Sequence, residues 1–533
     1  MKSRITKVAI SLLIIAALTL TGCGSQTADS QKQKSPTATL NGVQVDPNGT
    51  IHVGIIASVL TLDPANHRDR VTETVIRNIF DGLVTRTTDG KIVPEIAESW
   101  NAVSPTVWEF KIRKGVTFHD GSPLTAEDVK FTFDRIIGEG AMEGKTSPRK
   151  GLLAAVKSID KIDDYNVRFN LSSPWPILLQ MLPHQQIIPK AYFEKVGVAE
   201  FVKKPIGAGP FKLVEAKLDE KIVLERYDKY YGGSPDLQPV GPAQAKTVIF
   251  DVIPENSTRL AALKSGEVQI IQNVPTDMVE QLKADANENV MMVNGTNVYM
   301  FQMNMKKAPF DNVKVRQAMN YAINVQEIVD KILNGNAIRL AGPVLSTSPF
   351  LNQTLKPYPY DPNKAKELLK EAGYPNGFSL VIDAEAKDKT VAETAAANLR
   401  QVGINASVRI WDWGVLKPML LNGERQVVLT TWGNSTQDPS DLLEPTLKPK
   451  GGGNYSMYDN KEVTGLIDKA SVSVDDKVRR ELYDQAQQII YDEAPWVFGF
   501  SGKAIEASSK RIVNWKPSMD GRINLHDVGI QAK

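Results

Sequence analysis

The sequence predicts a mixed α/β or α+β protein, because strand-like and helix-like patterns follow one another without a fixed repeat. Trp108, Phe110 and Ile112 alternate with charged residues, which is the period of a half-buried strand. Val129 and Phe133 then recur at helical spacing. Hydrophobic residues make up 42% of the 533 residues and charged residues 23%, which is ordinary for a folded soluble protein.

Capping residues, glycines and prolines along the chain mark where individual helices begin and end. Thr125, followed by an acid at Asp128, predicts the capped start of a helix. Gly266 predicts the end of a short helix, and Asp361 followed by proline predicts the start of another. Further predicted elements are a strand over 167–171, the end of the Asp361 helix at Gly373, and a long helix over 478–489 that ends before Pro495.

The charge balance argues against a nucleic-acid partner. The formal charge is +2 and the isoelectric point is about 8.2, far from the basic footprint of a nucleic-acid-binding protein. Lys2, Arg4 and Lys7 all precede Cys23, and removing them leaves 60 basic against 61 acidic residues. The remainder of the chain is therefore close to neutral.

The N-terminus has the features of a secreted lipoprotein. Basic residues precede a 13-residue apolar stretch, Val8–Leu20, which is short for a transmembrane helix. Leu20-Thr21-Gly22-Cys23 resembles the bacterial lipobox, in which the cysteine is lipid-modified and becomes N-terminal. Residues 1–22 are thus predicted as a lipoprotein signal peptide and Cys23 as a membrane anchor on the extracytoplasmic side; a plain signal peptide with an unrelated cysteine is the alternative. Residues 23–50 are polar and are predicted as a flexible tether.

Motifs of enzyme chemistry are absent from the sequence. It has no His-Glu-x-x-His, Cys-x-x-Cys or Gly-x-Ser-x-Gly motif, and Gly144-Lys145-Thr146 lacks the glycine that a phosphate-binding loop needs at Glu139. The five histidines are scattered along the chain and the single thiol belongs to Cys23. We therefore expect no catalytic residues, no metal site built by the protein, no cofactor and no enzymatic activity.

Six segments in a fixed order carry a family resemblance. The chain resembles the bacterial extracellular solute-binding proteins of family 5, the peptide/nickel-type components of ABC importers, from about residue 51 to 530. The six segments are Pro94–Trp100, Trp108–Gly121, Leu124–Phe131, Ile206–Leu213, Arg259–Glu267 and Pro309–Met319.

The resemblance implies a two-lobed clamp of the type II periplasmic-binding-protein kind with an extra subdomain. The expected lobe I comprises residues 51–82, 190–294 and 507–533, its extra subdomain residues 83–189, and lobe II residues 295–506. Crossings near residues 294 and 506 would form the hinge, and the lobes would close over a ligand between them.

The resemblance also implies a function. A monomeric, membrane-tethered receptor would capture a peptide or peptide-like solute and deliver it to permease subunits, with ATP hydrolysis on separate ATPase subunits. The alternatives are a receptor for a metal chelate, a nickel-type ligand or an opine-like ligand, and a surface protein that passes its ligand state to a sensor.

Several recognisable motifs are predicted to be scaffold instead of ligand contacts. Phe118–Gly121 is a turn signature in the family. Gly207 and Gly209 are expected to permit a tight backbone path, and Arg316 is expected to be a structural ion-pair partner.

The predicted ligand segment surrounds Trp432, Gly433, Asn434 and Ser435. Dipeptide-binding relatives carry an aspartate for the peptide ammonium where this chain has Ser435. They also carry an arginine for the peptide carboxylate before the helix that begins near Thr390. This chain has only Lys387 and Lys389 in that stretch. With neither counter-charge at its family position, the sequence predicts weak binding of unmodified dipeptides.

Three tryptophans are candidate ligand contacts. Trp432 occupies a position that faces the ligand in the nickel and metal-chelate binders of the family, and Trp411 and Trp413 could join it as stacking or cation–π surfaces. The alternative for Trp413 is that it is a core residue and not a ligand contact. Because no histidine lies between His184 and His526, a metal would have to arrive with its own chelator.

Overall fold

The structure is a computed structural model that describes residues 38–532. Cys23, the signal peptide and the first part of the predicted tether lie outside the described residues.

Within residues 38–532, strands and helices alternate as the sequence patterns predict. The strands are β1 (Ala38–Leu40), β2 (Val43–Val45), β3 (Thr50–Ile55), β4 (Val84–Arg86), β5 (Ile92–Pro94), β6 (Ala97–Ser104), β7 (Val107–Ile112), β8 (Val156–Asp163), β9 (Asn166–Leu171), β10 (Phe211–Lys217), β11 (Lys221–Arg226), β12 (Thr247–Val252), β13 (Ile270–Ile271), β14 (Glu288–Met303), β15 (Ala337–Arg339), β16 (Ser379–Glu385), β17 (Asn405–Trp411), β18 (Val427–Gly433), β19 (Trp496–Ser509), β20 (Ile512–Val513) and β21 (Gly529–Ile530).

The helices flank these strands. They are α1 (Arg70–Ile79), α2 (Ala126–Ile137), α3 (Leu178–Met181), α4 (Lys190–Lys203), α5 (Asn256–Ser265), α6 (Val279–Lys283), α7 (Val313–Ala322), α8 (Val325–Glu327), α9 (Pro362–Glu371), α10 (Lys389–Gln401), α11 (Trp413–Leu421), α12 (Pro439–Leu447), α13 (Lys461–Val472) and α14 (Asp476–Glu493). Short 3-10 helices lie at Lys150–Leu153, Leu182–His184 and Ala386–Asp388, and a π turn at Ile328–Ile332.

One large sheet runs through the molecule in the order β10-β11-β12-β3-β13-β19-β14-β18-β16-β17, with β15 paired to β19. The strands before β19 in this order form a first half-sheet, in which β12, β3 and β13 are parallel. The strands after β14 form a second half-sheet, in which β18, β16 and β17 are parallel. The antiparallel pair β14 and β19 belongs to both half-sheets and joins them.

The pairing of β14 with β19 is interrupted in its middle. Asn294 pairs with Lys503 and Val298 pairs with Ser501, so three residues of β14 stand opposite Gly502 alone. Such a bulge bends the strand and increases its twist. A Cβ at Gly295 would stand 2.4 Å from the Gly502 carbonyl oxygen, so the close approach of the two backbones requires glycine there.

Helices cover both faces of the second half-sheet, because its strands alternate between two apolar faces. Phe301 and Met303 of β14 pack with α7, α9 and α10 in one buried cluster. Met300 lies on the opposite face and packs with α12, α13 and α14 in another. The two cores hold this half-sheet between helical layers.

The first half-sheet has its own cores, and a smaller sheet packs beside it. One cluster joins β3 and β12 to α1 and to residues 512–530, called the C-terminal segment below. Another cluster places α5 and α6 against Ile505 and Ala507 of β19. The separate sheet β6-β7-β9-β8 packs with α2 in a cluster drawn mostly from residues 83–187. The exact boundaries of the lobes and of the extra subdomain stay predictions from the sequence.

Residues 38–50 differ from the predicted flexible tether. β1 and β2 form an antiparallel hairpin in which Leu40 pairs with Val43 across Asn41-Gly42. Both turn residues have positive φ, 50° and 79°, which asparagine and glycine tolerate in a two-residue hairpin turn. Leu40 and Val45 are buried with Val513, so the fold begins by residue 38 because these apolar side chains gain burial against the C-terminal segment.

The motifs predicted as scaffold have backbone partners in the structure. The His119 ring bonds the Gly209 carbonyl (3.0 Å) and the Gly207 amide (3.2 Å). A Cβ at Gly207 would stand 2.0 Å from the Ile79 carbonyl oxygen, which accounts for glycine there. Arg316 is buried, but it donates to the carbonyls of Glu493 (2.8 Å) and Phe310 (2.9 Å) instead of forming the expected ion pair.

Candidate functional site

A cavity of about 210 Å³ lies at the interruption of β14 and β19. Gly295 and Asn297 of β14 and Gly502 of β19 contribute to its lining. Gln272 and the segment around Gly521 form the wall on the first side. The wall on the second side is Tyr299, in the part of β14 that pairs with β18. A solute in this cavity would contact both halves of the molecule at the point where they join.

Glu506 is the buried acid of the first wall. Its side chain accepts from Gln272 Nε2 through Oε1 (3.2 Å), and the same Gln272 nitrogen donates to the Gly521 carbonyl (2.7 Å). Glu506 is 2% exposed, and its second oxygen, Oε2, has no hydrogen-bond partner within residues 38–532. A buried oxygen without a partner is costly and calls for an explanation.

The electrostatic setting of Glu506 favours its neutral form. Burial raises the pKa of the Glu506 carboxyl to about 8. The hydrogen bond from Gln272 lowers this pKa, and the nearby Asp520 carboxylate raises it. At pH 7 without a bound cation, Glu506 is therefore mostly protonated.

Arg70 is the cation of the same wall. It is the first residue of α1, directly after Asp69, whose carboxylate caps the helix by accepting from the Thr72 amide (2.8 Å). Its side chain lines the cavity and lies against Gly521, where a Cβ would come within 3.4 Å of Cδ and Nη1. Arg70 is exposed and forms no hydrogen bond or ion pair with the part of the chain that the structure describes. Its guanidinium is thus available to a ligand.

Tyr299 forms the wall on the second side. Its ring stacks on Phe500 with centroids 4.8 Å apart and an interplanar angle of 15°. Burial raises the pKa of the Tyr299 hydroxyl, and the Asp388 carboxylate adds to that rise. The phenol therefore stays protonated and can donate a hydrogen bond across the cavity.

The predicted ligand segment begins beside this cavity. Gly433 lies at the end of β18 opposite Asn297, where a Cβ would stand 3.3 Å from Asn297 Oδ1. Asn434 is buried, and its backbone amide donates to the Thr296 carbonyl (2.8 Å). Its side-chain nitrogen, Nδ2, has no partner within residues 38–532. The segment is therefore bound to the bulge that forms the cavity.

The same segment also contacts the first half of the molecule. Arg86 donates to the carbonyl of Ser435 (3.1 Å), and Gln437 Nε2 lies 3.1 Å from Met519 Sδ. Asp438 anchors the end of the segment through a buried ion pair with Arg479 (2.5 Å) and caps α12. Ser435 therefore touches the opposite side through its backbone.

The three tryptophans do not form one cluster. Trp432 is half-buried beside the core of α12–α14, donates Nε1 to the Asp441 carbonyl (3.0 Å) and lies against Gly453. Trp411 donates to Asp383 (2.7 Å) and has guanidinium carbons of Arg409 and Arg425 at 5.1 and 4.9 Å from its ring.

Trp413 packs against the same small apolar cluster as Trp411. It packs edge-on against Tyr455, with ring centroids 5.9 Å apart, beside Leu416 and Leu420. The cavity lining within residues 38–532 includes none of the three indoles. Their ligand contacts stay predictions.

Lys387 and Lys389 have local carboxylate partners. Lys387 pairs with Glu385 and with Asp388 (3.2 Å), and Lys389 lies 3.8 Å from Glu393 one helical turn away. These pairs reduce the charge that either lysine offers to a ligand carboxylate. Their place in the site also stays a prediction.

All five histidines have protein partners of their own. His52 lies next to Asp251, His67 next to Arg149 and His184 next to Glu73. The rings of His119 and His526 lie next to the backbone carbonyls of Gly209 and Gly241. In the described chain, no three His, Cys, Asp or Glu side chains come together as a metal-ion site. Across residues 38–532, no helix is both long and apolar enough to cross a bilayer.

Sequence reasoning missed Arg70, Gln272 and Glu506. Glu506 carried a weak local signal, since it is the only acidic residue of β19, a strand that is mostly apolar or small apart from Lys503. Arg70 and Gln272 carried none, because charged and amide residues are common at helix starts and strand ends.

Two half-sheets joined by two crossing strands, with a cavity at the crossing, define a two-lobed solute-binding protein. The model of the bacterial extracellular solute-binding proteins, family 5 Middle, matches residues 91–454. The chain therefore belongs to the bacterial extracellular solute-binding proteins of family 5, as its sequence motifs predicted.

Named relatives agree with this assignment. The dipeptide-binding protein of Escherichia coli (strain K12) is 30% identical over 471 residues, covering 83% of this chain and 86% of that protein. The glutathione-binding protein GsiB of the same strain is 30% identical over 495 residues, covering 90% and 94%. The ABC transporter-associated periplasmic binding protein DppA from Helicobacter pylori, solved in complex with peptide STSA, matches with a TM-score of 0.75 and 30% identity, covering 91% of this chain and 98% of that one.

These relatives are binding proteins and not enzymes, which confirms the non-enzymatic prediction. The mixed α/β, periplasmic-binding-protein fold is likewise confirmed. The chain is an extracytoplasmic substrate-binding component of the kind that serves ABC importers.

Proposed function

We propose that this protein captures a peptide or peptide-like solute outside the cytoplasm, closes its two lobes over it and delivers it to an ABC permease driven by separate ATPase subunits. The observation that carries the proposal is the cavity at the strand crossing, which draws its lining from both half-sheets. The names of the relatives, which refer to dipeptides, glutathione and a bound tetrapeptide, support the peptide-like class.

The geometry suits a closing clamp. Among the strands of residues 38–532, β14 and β19 alone are shared by the two half-sheets, and the bulge at Gly295 places the bend near the middle of β14. Away from the bulge, the Arg86–Ser435 and Gln437–Met519 contacts bridge the halves. A solute that contacts both walls stabilises the closed arrangement over the open one, and only such a difference in affinity can shift the equilibrium.

The membrane tether is part of the proposal. Cys23 ends an apolar segment in a lipobox-like sequence, and a doubly acylated cysteine would hold the protein stably at a membrane. The receptor would then stay close to its permease.

Scattering with an identified ligand tests this function. Mass spectrometry of the material released from the purified protein should identify a peptide or peptide-like compound. When this compound is returned to the stripped protein, small-angle scattering should show a smaller radius of gyration. The melting temperature should rise, since ligand at about 100 times its dissociation constant adds roughly 2.7 kcal/mol. A sugar of similar mass is the control. An unchanged radius with saturating ligand, or a released compound of another class, would contradict the proposal.

A further inference from the structure

We propose that the cavity at the strand crossing recognises a zwitterionic solute, a short peptide with both termini free: Arg70 pairs with its carboxylate and Glu506 with its ammonium group. This inference rests on the proposed function as a receptor for peptide-like solutes. It replaces the sequence-based expectation that unmodified dipeptides bind weakly, because both counter-charges are present away from their family positions.

Arg70 has the properties of a carboxylate anchor. It lines the cavity from the start of α1 and has no ion-pair partner within residues 38–532. A guanidinium offers a planar pair of donors that matches a carboxylate. Of the two lysines considered from the sequence, each already has a carboxylate neighbour, so Arg70 is the better anchor.

Glu506 has the properties of an ammonium anchor. One of its oxygens is occupied by Gln272, whereas the buried Oε2 has no hydrogen-bond partner within residues 38–532, and the Glu506 side chain belongs to the cavity lining. An ammonium group placed there would satisfy this oxygen with a charge-assisted hydrogen bond. The buried carboxyl would then serve the ligand, which explains why it is tolerated in a strand whose neighbours are apolar or small.

The two anchors lie on one wall. Gln272 bonds both Glu506 and the Gly521 carbonyl, and the Arg70 side chain lies against Gly521. The cavity of about 210 Å³ corresponds to the liquid volume of about seven waters, which suits a short solute. A ligand with its two charged ends toward this wall would present its middle to Tyr299 on the other side.

Binding of an ammonium at Glu506 is coupled to proton release. The charged groups around this carboxyl are Asp520, Arg70 and Lys503, and Lys503 points its Nζ away to the Gly335 carbonyl (3.1 Å). Asp520 is itself held by Arg522 and by Arg86 (3.5 Å). Since burial raises the pKa of Glu506 to about 8, the carboxyl is protonated at pH 7 and must ionise to pair with a cation. Uptake of a zwitterion at pH 7 should therefore release most of one proton. The free peptide amine also has a pKa of about 8, so the net release should fall to zero near pH 8 and become a net proton uptake above about pH 9.

Calorimetry with matched peptides tests the assignment. The probes are Ala-Ala, Ala-Phe and Ala-Leu, each with an N-acetylated form and a C-amidated form. The native protein should bind the free peptides at least 10-fold more tightly than either blocked form. Arg70→Gln should lose about 10- to 100-fold affinity for the free peptides, the scale of a charged hydrogen bond, and nothing for the amides. Glu506→Gln should lose a similar factor for peptides with a free amine and should abolish proton release, measured in buffers of different ionisation enthalpy.

Matched controls separate the anchors from general effects. Arg68→Gln changes an exposed arginine two residues before Arg70, outside the cavity lining. Glu288→Gln changes another buried glutamate, whose Oε2 also has no partner in the described part of the chain and which lies outside the lining. Both should bind the free peptides as the native protein does.

The outcomes distinguish this inference from the proposed function. Peptide binding that is unaffected by Arg70→Gln and Glu506→Gln, or equal affinity for free and blocked peptides, overturns the anchors and leaves the receptor function standing. Failure of all three free dipeptides to bind native protein, while the released peptide-like compound still closes it, overturns the zwitterion as the ligand class. Should Glu506→Gln not fold, the comparison of free and N-acetylated peptides on native protein decides the ammonium anchor alone.

Discussion

Glu73 stands at the centre of a buried ionic network beneath α1. Arg522 donates to both of its oxygens (2.7 and 3.1 Å), His184 lies at 3.0 Å, and Arg149 at 3.4 Å. Burial raises the pKa of Glu73, but the charges of Arg522, His184 and Arg149 outweigh it and hold the pKa well below its ordinary range. This carboxylate therefore stays ionised and links α1 to the C-terminal segment.

His67 makes the stability of this network sensitive to acid. Arg149 Nη1 lies 2.7 Å from His67 Nε2, so the ring is neutral, and burial together with Arg149 lowers the pKa of His67 to about 4. A histidine whose folded pKa lies below its unfolded value of about 6.5 stabilises the fold above that value and loses this contribution as the pH falls toward 4.

We predict that His67→Gln, whose amide oxygen can accept from Arg149, reduces the acid sensitivity of the fold. Between pH 7.5 and pH 5 the native protein should lose about 2 kcal/mol more of its unfolding free energy than the variant. Urea unfolding at the two pH values measures the difference. Parallel losses in the two proteins would show that His67 does not carry this sensitivity.

At the scale of secondary structure, the bulge between β14 and β19 is the element on which the site depends. It brings two strands shared by both half-sheets to a close backbone approach and leaves Asn297 and Lys503 beside the cavity. The bulge also accepts the Asn434 amide through the Thr296 carbonyl, so it positions the predicted ligand segment.

Two glycines of this bulge offer a matched test. Gly295→Ala places a Cβ 2.4 Å from a backbone oxygen, whereas the nearest atom to a Cβ at Gly502 is in the Tyr299 ring at 3.8 Å. We expect Gly295→Ala to lower the unfolding free energy by about 1–3 kcal/mol, because backbone must move to relieve the contact. Gly502→Ala should change it by less than about 1 kcal/mol. Thermal unfolding of the pair checks this, and equal effects would mean that the close approach is not maintained in solution.

At the scale of the whole molecule, the fold begins by residue 38 and the proposed anchor lies at residue 23. The 15 residues from Cys23 to Thr37 could reach about 50 Å if fully extended. Within the described chain, the cavity at the strand crossing is lined by residues between positions 56 and 521.

We predict that Cys23→Ser releases the protein from the membrane fraction without changing ligand binding. Fractionation of cells that produce the variant, with Ser25→Ala as the control, measures the first effect. Calorimetry with the released compound measures the second. A variant that remains with the membrane would show that another feature holds the protein there.

Local patterns in the sequence determined most of the elements and the family. The Thr125–Asp128 capping box, the strand over 107–112, and the helix ended by Gly266 at a φ of 79° all lie where the patterns predict. These predictions succeed because periodicity and capping depend on residues within a few positions of one another. The Asn41-Gly42 hairpin carried an equally local signal, but the polar composition around it led to the tether prediction.

The arrangement of the site was decided by the tertiary structure. Arg70 and Glu506 lie near opposite ends of the chain and share one wall because α1, the C-terminal segment and β19 pack together. Whether a charged side chain is paired depends on contacts with distant residues. Within residues 38–532 Arg70 has no hydrogen-bond or ion-pair partner, whereas Arg479 forms a long-range ion pair with Asp438. Burial likewise depends on the whole fold, so the high pKa of Glu506 follows from the strand crossing and not from its sequence neighbours.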